Sequence, residues 1–186
     1  MPLALSRRRR HKSSSKKPKW VTEVIKVVKE LGGKCTKEKG KEVWKCRIPD
    51  AATVIISNEE WYFTNNKYIS IHVGGEVTLD ELSMEGKESI LDYLYHSYEF
   101  LEELENATGA SSADLSIPTY MQLELRFKPE NYMKAIKTLK KIVKHGLWPK
   151  IIIPHAELRL YRTEEKGESI EYHTVTPEEF IELLTK

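Results

Sequence analysis

The chain has 186 residues, of which 40% are hydrophobic and 31% charged, with a formal net charge of +2. That length allows one domain or two small ones, burying roughly two-thirds of the unfolded surface, and the apolar content excludes a chain that is disordered throughout. No stretch approaches the ~18 apolar residues of a membrane span, and Met1 to Leu5 is too short for the core of a secretion signal, so an intracellular protein is expected, cytoplasmic or, in a eukaryotic source, nuclear.

The chain opens on a cationic segment. Arg7, Arg8, Arg9, Arg10, Lys12, Lys16, Lys17 and Lys19 precede the first acidic residue, Glu23. These 8 leave 22 of the 30 basic residues to face 28 acidic ones, so the net charge divides into +8 for the first twenty residues and −6 for the rest. Clustered Lys and Arg with Ser and Pro spacers bury no apolar surface, so residues 1–19 read as a flexible tail that meets an anionic polymer. Six of these charges on duplex phosphates would contribute a salt slope of about −5.

Residues 20–31 carry Val21, Val24, Ile25, Val28 and Leu31 at helical spacing and stop at Gly32-Gly33. Cys35 and Cys46 follow. A two-residue turn at Gly40-Lys41 sets them opposite one another, in a hydrogen-bonded pair whose Cα atoms are the more widely separated kind, and the expectation is two buried thiols. The abundance of Lys and Glu, with one glutamine at Gln122, is a bias of hyperthermophile proteins.

Strands are expected at 42–48, at 53–57 continuing towards 60–63, and at 67–73, with a turn at Asn65-Asn66. That turn pairs Phe63 with Tyr68 and Trp61 with Ser70. It places Trp61, Phe63, Tyr68 and His72 on one face, and Ile69, Ile71 and Val73 on the other. With the isoleucine face buried, the aromatic face is a stacking platform for single-stranded nucleic acid. Thr78 and Glu81 form a capping-box pattern, and apolar residues continue a helix to about Asn106. Its face of Asp92, His96, Glu99 and Glu103 is read as solvated, with no metal assigned.

The small and polar residues 110–118 read as a linker between a subdomain at 20–109 and another at 119–186. The second holds an alternating strand at 120–127, a helix over 129–145 ending at Gly146, and a hairpin around Lys166-Gly167. Thr176-Pro177-Glu178-Glu179 combines a cap, a first-turn proline and a capping glutamate, starting a helix to Leu184. The order α-β-β-β-α followed by β-α-β-β-α, with strands paired locally, points to an α+β fold with mainly antiparallel sheets.

On the 129–145 helix, Lys134, Lys137, Lys140, Lys141 and Lys144 share one side, opposite Tyr132, Ile136, Leu139 and Val143. With the tail, this face points to a non-catalytic nucleic-acid-binding protein, for DNA or RNA. Lys134, Lys137, Lys141 and Lys144 extend the phosphate contacts, and Trp61, Phe63 and Tyr68 stack bases. One alternative is a subunit of a larger nucleoprotein assembly with other protein partners. Another is a metal-dependent nuclease using Glu124, Glu157, Glu171 and His173, expected on one sheet face with Arg126, Arg159 and Tyr161. The spacings of zinc ligands, phosphate loops, dinucleotide fingerprints and serine elbows do not occur, so no cofactor and no small-molecule substrate is assigned.

Overall fold

A computed structural model describes residues 16–61, 64–75, 97–116, 121–152 and 157–186. It has the expected α+β architecture, with strands in a six-stranded and a three-stranded sheet. The first helix, α1 (Lys19–Glu30), buries Val21, Val24, Ile25 and Val28. Its stop places Gly33 so close to the core that a Cβ there would lie 2.6 Å from Val28 and 2.9 Å from Ile48 side-chain atoms. Only a residue without a side chain allows that approach.

Four strands follow: β1 (Lys34–Lys37), β2 (Val43–Ile48), β3 (Ala52–Trp61) and β4 (Thr64–Gly75). β1 is expected only as the Cys35 arm of a hairpin and not among the strands, because Lys34 to Lys37 carries only one apolar residue. Cys35 and Cys46 do pair across β1 and β2, but as a disulfide with Cα atoms 4.0 Å apart. The correction has a geometric origin. The closing pair of the hairpin is Glu38 and Val43, with Glu38 N–H donating to Val43 C=O at 2.8 Å, so the loop is residues 39–42 and Gly40 sits at φ 77° within it. Starting the alternation one pair earlier makes Cys35 and Cys46 a non-hydrogen-bonded pair, the closer kind, within reach of a cross-strand disulfide.

The β3–β4 hairpin also differs from expectation. Trp61 pairs with Thr64, Asn65 and Asn66 pair with Glu60 and Glu59 within β4 instead of turning, and Tyr68 pairs with Ser57 rather than Phe63. The observed register sets Ile56 against Ile69 and Val54 against Ile71. The Asn65-Asn66 turn would have set Ile71 against Glu60 and Val73 against Asn58. Cross-strand apolar pairing therefore outweighs the local turn preference of two asparagines. The assignment of faces is unaffected, and Ile69, Ile71 and Val73 are buried.

The helix α2 (Tyr98–Thr108) covers the end of the expected 78–106 helix; Thr78, Glu81 and Gly86 lie outside the described residues. Residues 110–118, expected as a linker, contain the strand β5 (Ser112–Ser116), which pairs with β6 (Met121–Phe127). β6 also pairs with β4, giving the antiparallel order β1-β2-β3-β4-β6-β5. One sheet thus takes strands from both sides of the expected boundary. Small polar residues formed an edge strand here because Ala113 and Leu115 oppose Leu125 and Leu123.

The inner face of this sheet presents Trp44, Cys46, Val54, Ile56, Leu123, Leu125 and Phe127, all buried. It is covered by α1 over β1 and β2, by α3 (Tyr132–His145) over β4 and β6, and by α2 over β5. The smaller sheet, β7 (Trp148–Ile152), β8 (Glu157–Lys166) and β9 (Ser169–Val175), holds the expected hairpin plus an unanticipated strand, β7, which runs beside β4 and β6. The last helix, α4 (Pro177–Thr185), packs on α2 and α3. Its capping box is formed as expected: Glu179 N–H donates to Thr176 Oγ1 at 3.1 Å and Thr176 N–H to Glu179 Oε2 at 2.9 Å.

The disulfide ties an edge strand only four residues long to the sheet and closes a loop with a sequence separation of 11. Cys35→Ser is therefore expected to lower the unfolding free energy by about 2–3 kcal/mol, the cost of that loop's entropy. Denaturant unfolding of the disulfide-bonded parent and of the variant compares them directly, and equal midpoints would contradict it.

Candidate nucleic-acid interface

The interface is built from the helical layer outward. α3 buries Ala135, Ile136, Thr138, Leu139 and Ile142, which turns Lys134, Lys137, Lys140 and Lys144 to solvent and leaves Lys141 half-buried. Among the described residues none of these five lysines forms an ion pair. α1 lies alongside and exposes Lys19, Lys26 and Lys29. On the other side, α2 exposes Glu99, Glu102 and Glu103, and α4 exposes Glu178, Glu179 and Glu182. By net charge α3 makes its side the basic half of the helical layer, and α2 and α4 make the other side the acidic half. α1 adds little, because Glu23 and exposed Glu30 offset two of its lysines.

Two parts of the lysine face have different local explanations. Lys134 and Lys137 line a small cleft with Asn106, Thr108, Gly109 and Thr185, where α2 and α4 both end. Helix C-termini carry partial negative charge and favour cations beside them. The Lys134 stem crosses Gly109 so closely that a Cβ there would lie 2.6 Å from it. Lys141 and Lys144 meet the opposite situation. They stand near His145 and Arg162 of β8. Burial, and then the charges of Lys144, Lys141 and Arg162, hold the His145 imidazole below its ordinary value. Arg162 pairs with Glu164 at 3.7 Å, and Glu164 clusters with Glu171 and His173 within 4.8 Å. The like-charge group of Lys141, Lys144 and Arg162 disfavours protonation of His145.

Of the tail, Arg7, Arg8, Arg9, Arg10 and Lys12 lie outside the described residues. Lys16 and Lys17 are exposed, and Lys17 Nζ stands 5.8 Å from the centre of the Trp44 ring. Lys19 is the first residue of α1. The chain therefore enters the fold beside the basic half of the helical layer.

Of the expected aromatic platform only part lies among the described residues. Phe63 lies outside the described residues. Trp61 pairs with Thr64 at the end of the hairpin, four residues along β4 from Tyr68, about 13 Å at the rise of a strand. Tyr68 instead carries the Arg126 guanidinium 4.3 Å over its ring. Sequence reasoning missed what surrounds it on the outer face of the large sheet. Ser70 Oγ donates to Glu124 Oε1 at 2.7 Å and lies 3.0 Å from His72 Nε2. His72 Nδ1 lies 3.0 Å from Gln122 Oε1, and Arg126 donates to Glu124 Oε1 at 3.0 Å. Alternation in β4 and β6 identifies these residues as outward-facing, but only the β4–β6 register brings them together.

The face expected for a nuclease is split. Glu124 and Arg126 belong to the large sheet, while Glu171 and His173 belong to the small one. Within the small sheet, Arg162 pairs with His173 and Glu164 with Glu171, so the alternation puts Glu157, Arg159 and Tyr161 on the opposite face from Glu171 and His173. His173 Nε2 lies 3.4 Å from Glu164 and 3.3 Å from Glu171, and Lys166 Nζ lies 2.8 Å from Glu171. Lys166 and Glu171 form a cross-strand ion pair, while Glu164, Glu171 and His173 bring three potential metal-ligand atoms within 4.8 Å of one another, with His173 Nε2 buried and without a hydrogen-bond partner among the described residues. Asp92 and His96 lie outside the described residues.

No protein-family model, no curated protein and no solved structure matches this chain. Among the described residues no helix is long and apolar enough to cross a membrane.

Glu124 offers a direct test of the outer-face network. Burial raises its pKa, but the Ser70 hydrogen bond, the charge of His72 and the Arg126 contact together bring it below the ordinary value. A carboxylate lowered in the folded state contributes stability above its unfolded value and loses it as pH falls through the folded one. Glu124→Gln is thus expected to cost about 1–2 kcal/mol at neutral pH, with the gap closing in acid. Urea unfolding across that range reads the difference, and a gap independent of pH would contradict the assignment.

Proposed function

We propose that this protein binds nucleic acid without catalysing a reaction, through a cationic arm continuous with a lysine-bearing helical surface. The observation that carries the reading is the outward lysine row of α3, where Lys134, Lys137, Lys140 and Lys144 are exposed and form no ion pair among the described residues. Phosphates would pair with that row. Arg7 to Arg10 with Lys12, Lys16, Lys17 and Lys19 engage the backbone by counterion release, and Lys134, Lys137, Lys141 and Lys144 extend the footprint over the body. The acidic half of the helical layer repels phosphate and so orients the polymer on the basic half. The reading places the protein in the cytoplasm, or the nucleus of a eukaryotic source. A hyperthermophile cytoplasm is the intracellular setting in which a disulfide such as Cys35–Cys46 is common.

Changing Lys134, Lys137, Lys141 and Lys144 together to alanine is expected to flatten the dependence of log affinity on log salt for duplex DNA by about 3–4, near 0.9 for each phosphate no longer neutralised. Starting the chain at Trp20 is expected to flatten it further. Fluorescence anisotropy at several salt concentrations measures both, and unchanged slopes in both proteins would overturn the proposal.

A second expectation concerns His145. Bound phosphate offsets the neighbouring cations, so the imidazole should take up its proton at higher pH in the complex than in the free protein. Imidazole NMR titration with and without duplex DNA follows it directly; the same midpoint in both states would place the polymer elsewhere.

A further inference from the structure

The alternation of the small sheet produces a face that the lysine surface does not use. Trp148 and Tyr161 are cross-strand partners, and their rings stack at 4.6 Å with planes 16° apart. Tyr172 meets Trp148 edge-on at 5.8 Å. Thr163 fixes the arrangement: its hydroxyl accepts from Trp148 Nε1 at 3.2 Å and donates to Gly146 C=O at 2.9 Å. Packing explains the stacked pair, but not its neighbours. Tyr172 is 60% exposed and Ile170, two residues along the same strand face, is 53% exposed. Adjacent large apolar side chains left in water mark a contact surface.

We propose that this face is a base-stacking platform for single-stranded nucleic acid, with Tyr172 as its outermost ring and Trp148 and Tyr161 behind it. Three observations favour a nucleic-acid strand over a protein partner. The rings pack on one another, with Trp148 anchored by Thr163 and Tyr172 exposed, and an exposed aromatic ring suits the flat π-surface common to all bases. Lys150 projects from the same face two residues beyond Trp148, and among the described residues it forms no ion pair. The platform also follows directly from the last turn of α3, where Lys144 and His145 lead through Gly146 and Leu147 into Trp148. A strand stacked on the rings can therefore run its phosphates towards the basic helix. Glu165, opposite Ile170, closes the far end of the face and gives the strand a polarity of approach.

The inference rests on the nucleic-acid reading above, and its test separates the two. Affinities of the full chain and its Tyr172→Ala and Tyr172→Phe variants are measured for a 20-nucleotide oligothymidine and for a duplex of equal length, with circular dichroism confirming the fold. Tyr172→Ala is expected to weaken oligothymidine binding about tenfold, to leave duplex binding within about twofold, and to leave the salt slope unchanged; Tyr172→Phe, which keeps the ring, should bind as the parent does. Equal binding of oligothymidine by parent and Tyr172→Ala, with duplex binding intact, overturns the platform alone. Failure of the parent to bind either polymer overturns the nucleic-acid reading and the platform with it. If light scattering shows a parent dimer that Tyr172→Ala converts to monomer while oligothymidine affinity stays the same, the face is a contact between copies and the platform is likewise overturned.

Discussion

The register between β4 and β6 is the constraint on which the other features depend. It sets Ile69 against Phe127, Ile71 against Leu125 and Val73 against Leu123, all buried. Because side chains alternate with a period of two, these apolar pairs also fix what the opposite face must hold. Ser70 falls against Arg126 and His72 against Glu124, so one set of pairings builds the core and the polar network together. A slip of one residue would bury Glu124 and Arg126 without water and expose Leu123, Leu125 and Phe127. Charge burial alone makes that alternative untenable.

The same register determines where the positive surface lies. α3 follows β6 and must lay Ile136, Leu139 and Ile142 over the sheet, so its lysines have no direction left but outward. Their separation from the carboxylates of α2 and α4 is a consequence of helix order across the sheet, not of sequence distance. Lys134 and Lys137 gain from two helix ends, whereas Lys141 and Lys144 gather further positive charge around His145.

Elements with strong periodicity or specific local chemistry were legible from the residues themselves. The apolar stripe of α1, the lysine face of α3, the capping box of Thr176 and Glu179, and the opposition of Cys35 and Cys46 all depend on neighbours within a few positions. Short edge strands were not. β1 has little apolar content, and β5 consists of residues whose strand conformation rests on Leu123 and Leu125 across the ladder. For β3 and β4, Asn65-Asn66 gave a plausible turn, yet the pairing of Ile56 with Ile69 lies several residues away and overrides it.

The amino-acid order by itself determined which side of each helix and strand is apolar, where the charge is concentrated, and that strands and helices segregate into an α+β fold. Tertiary structure alone decided which faces meet. It joined β4 to β6 across an intervening helix, closed the Cys35–Cys46 bridge by setting the hydrogen-bonding phase of its hairpin, and brought Trp148, Tyr161 and Tyr172 into one cluster. The division has a physical cause. Periodicity is a property of a single segment, whereas register and helix order are chosen by the burial of apolar surface contributed by segments far apart in the chain.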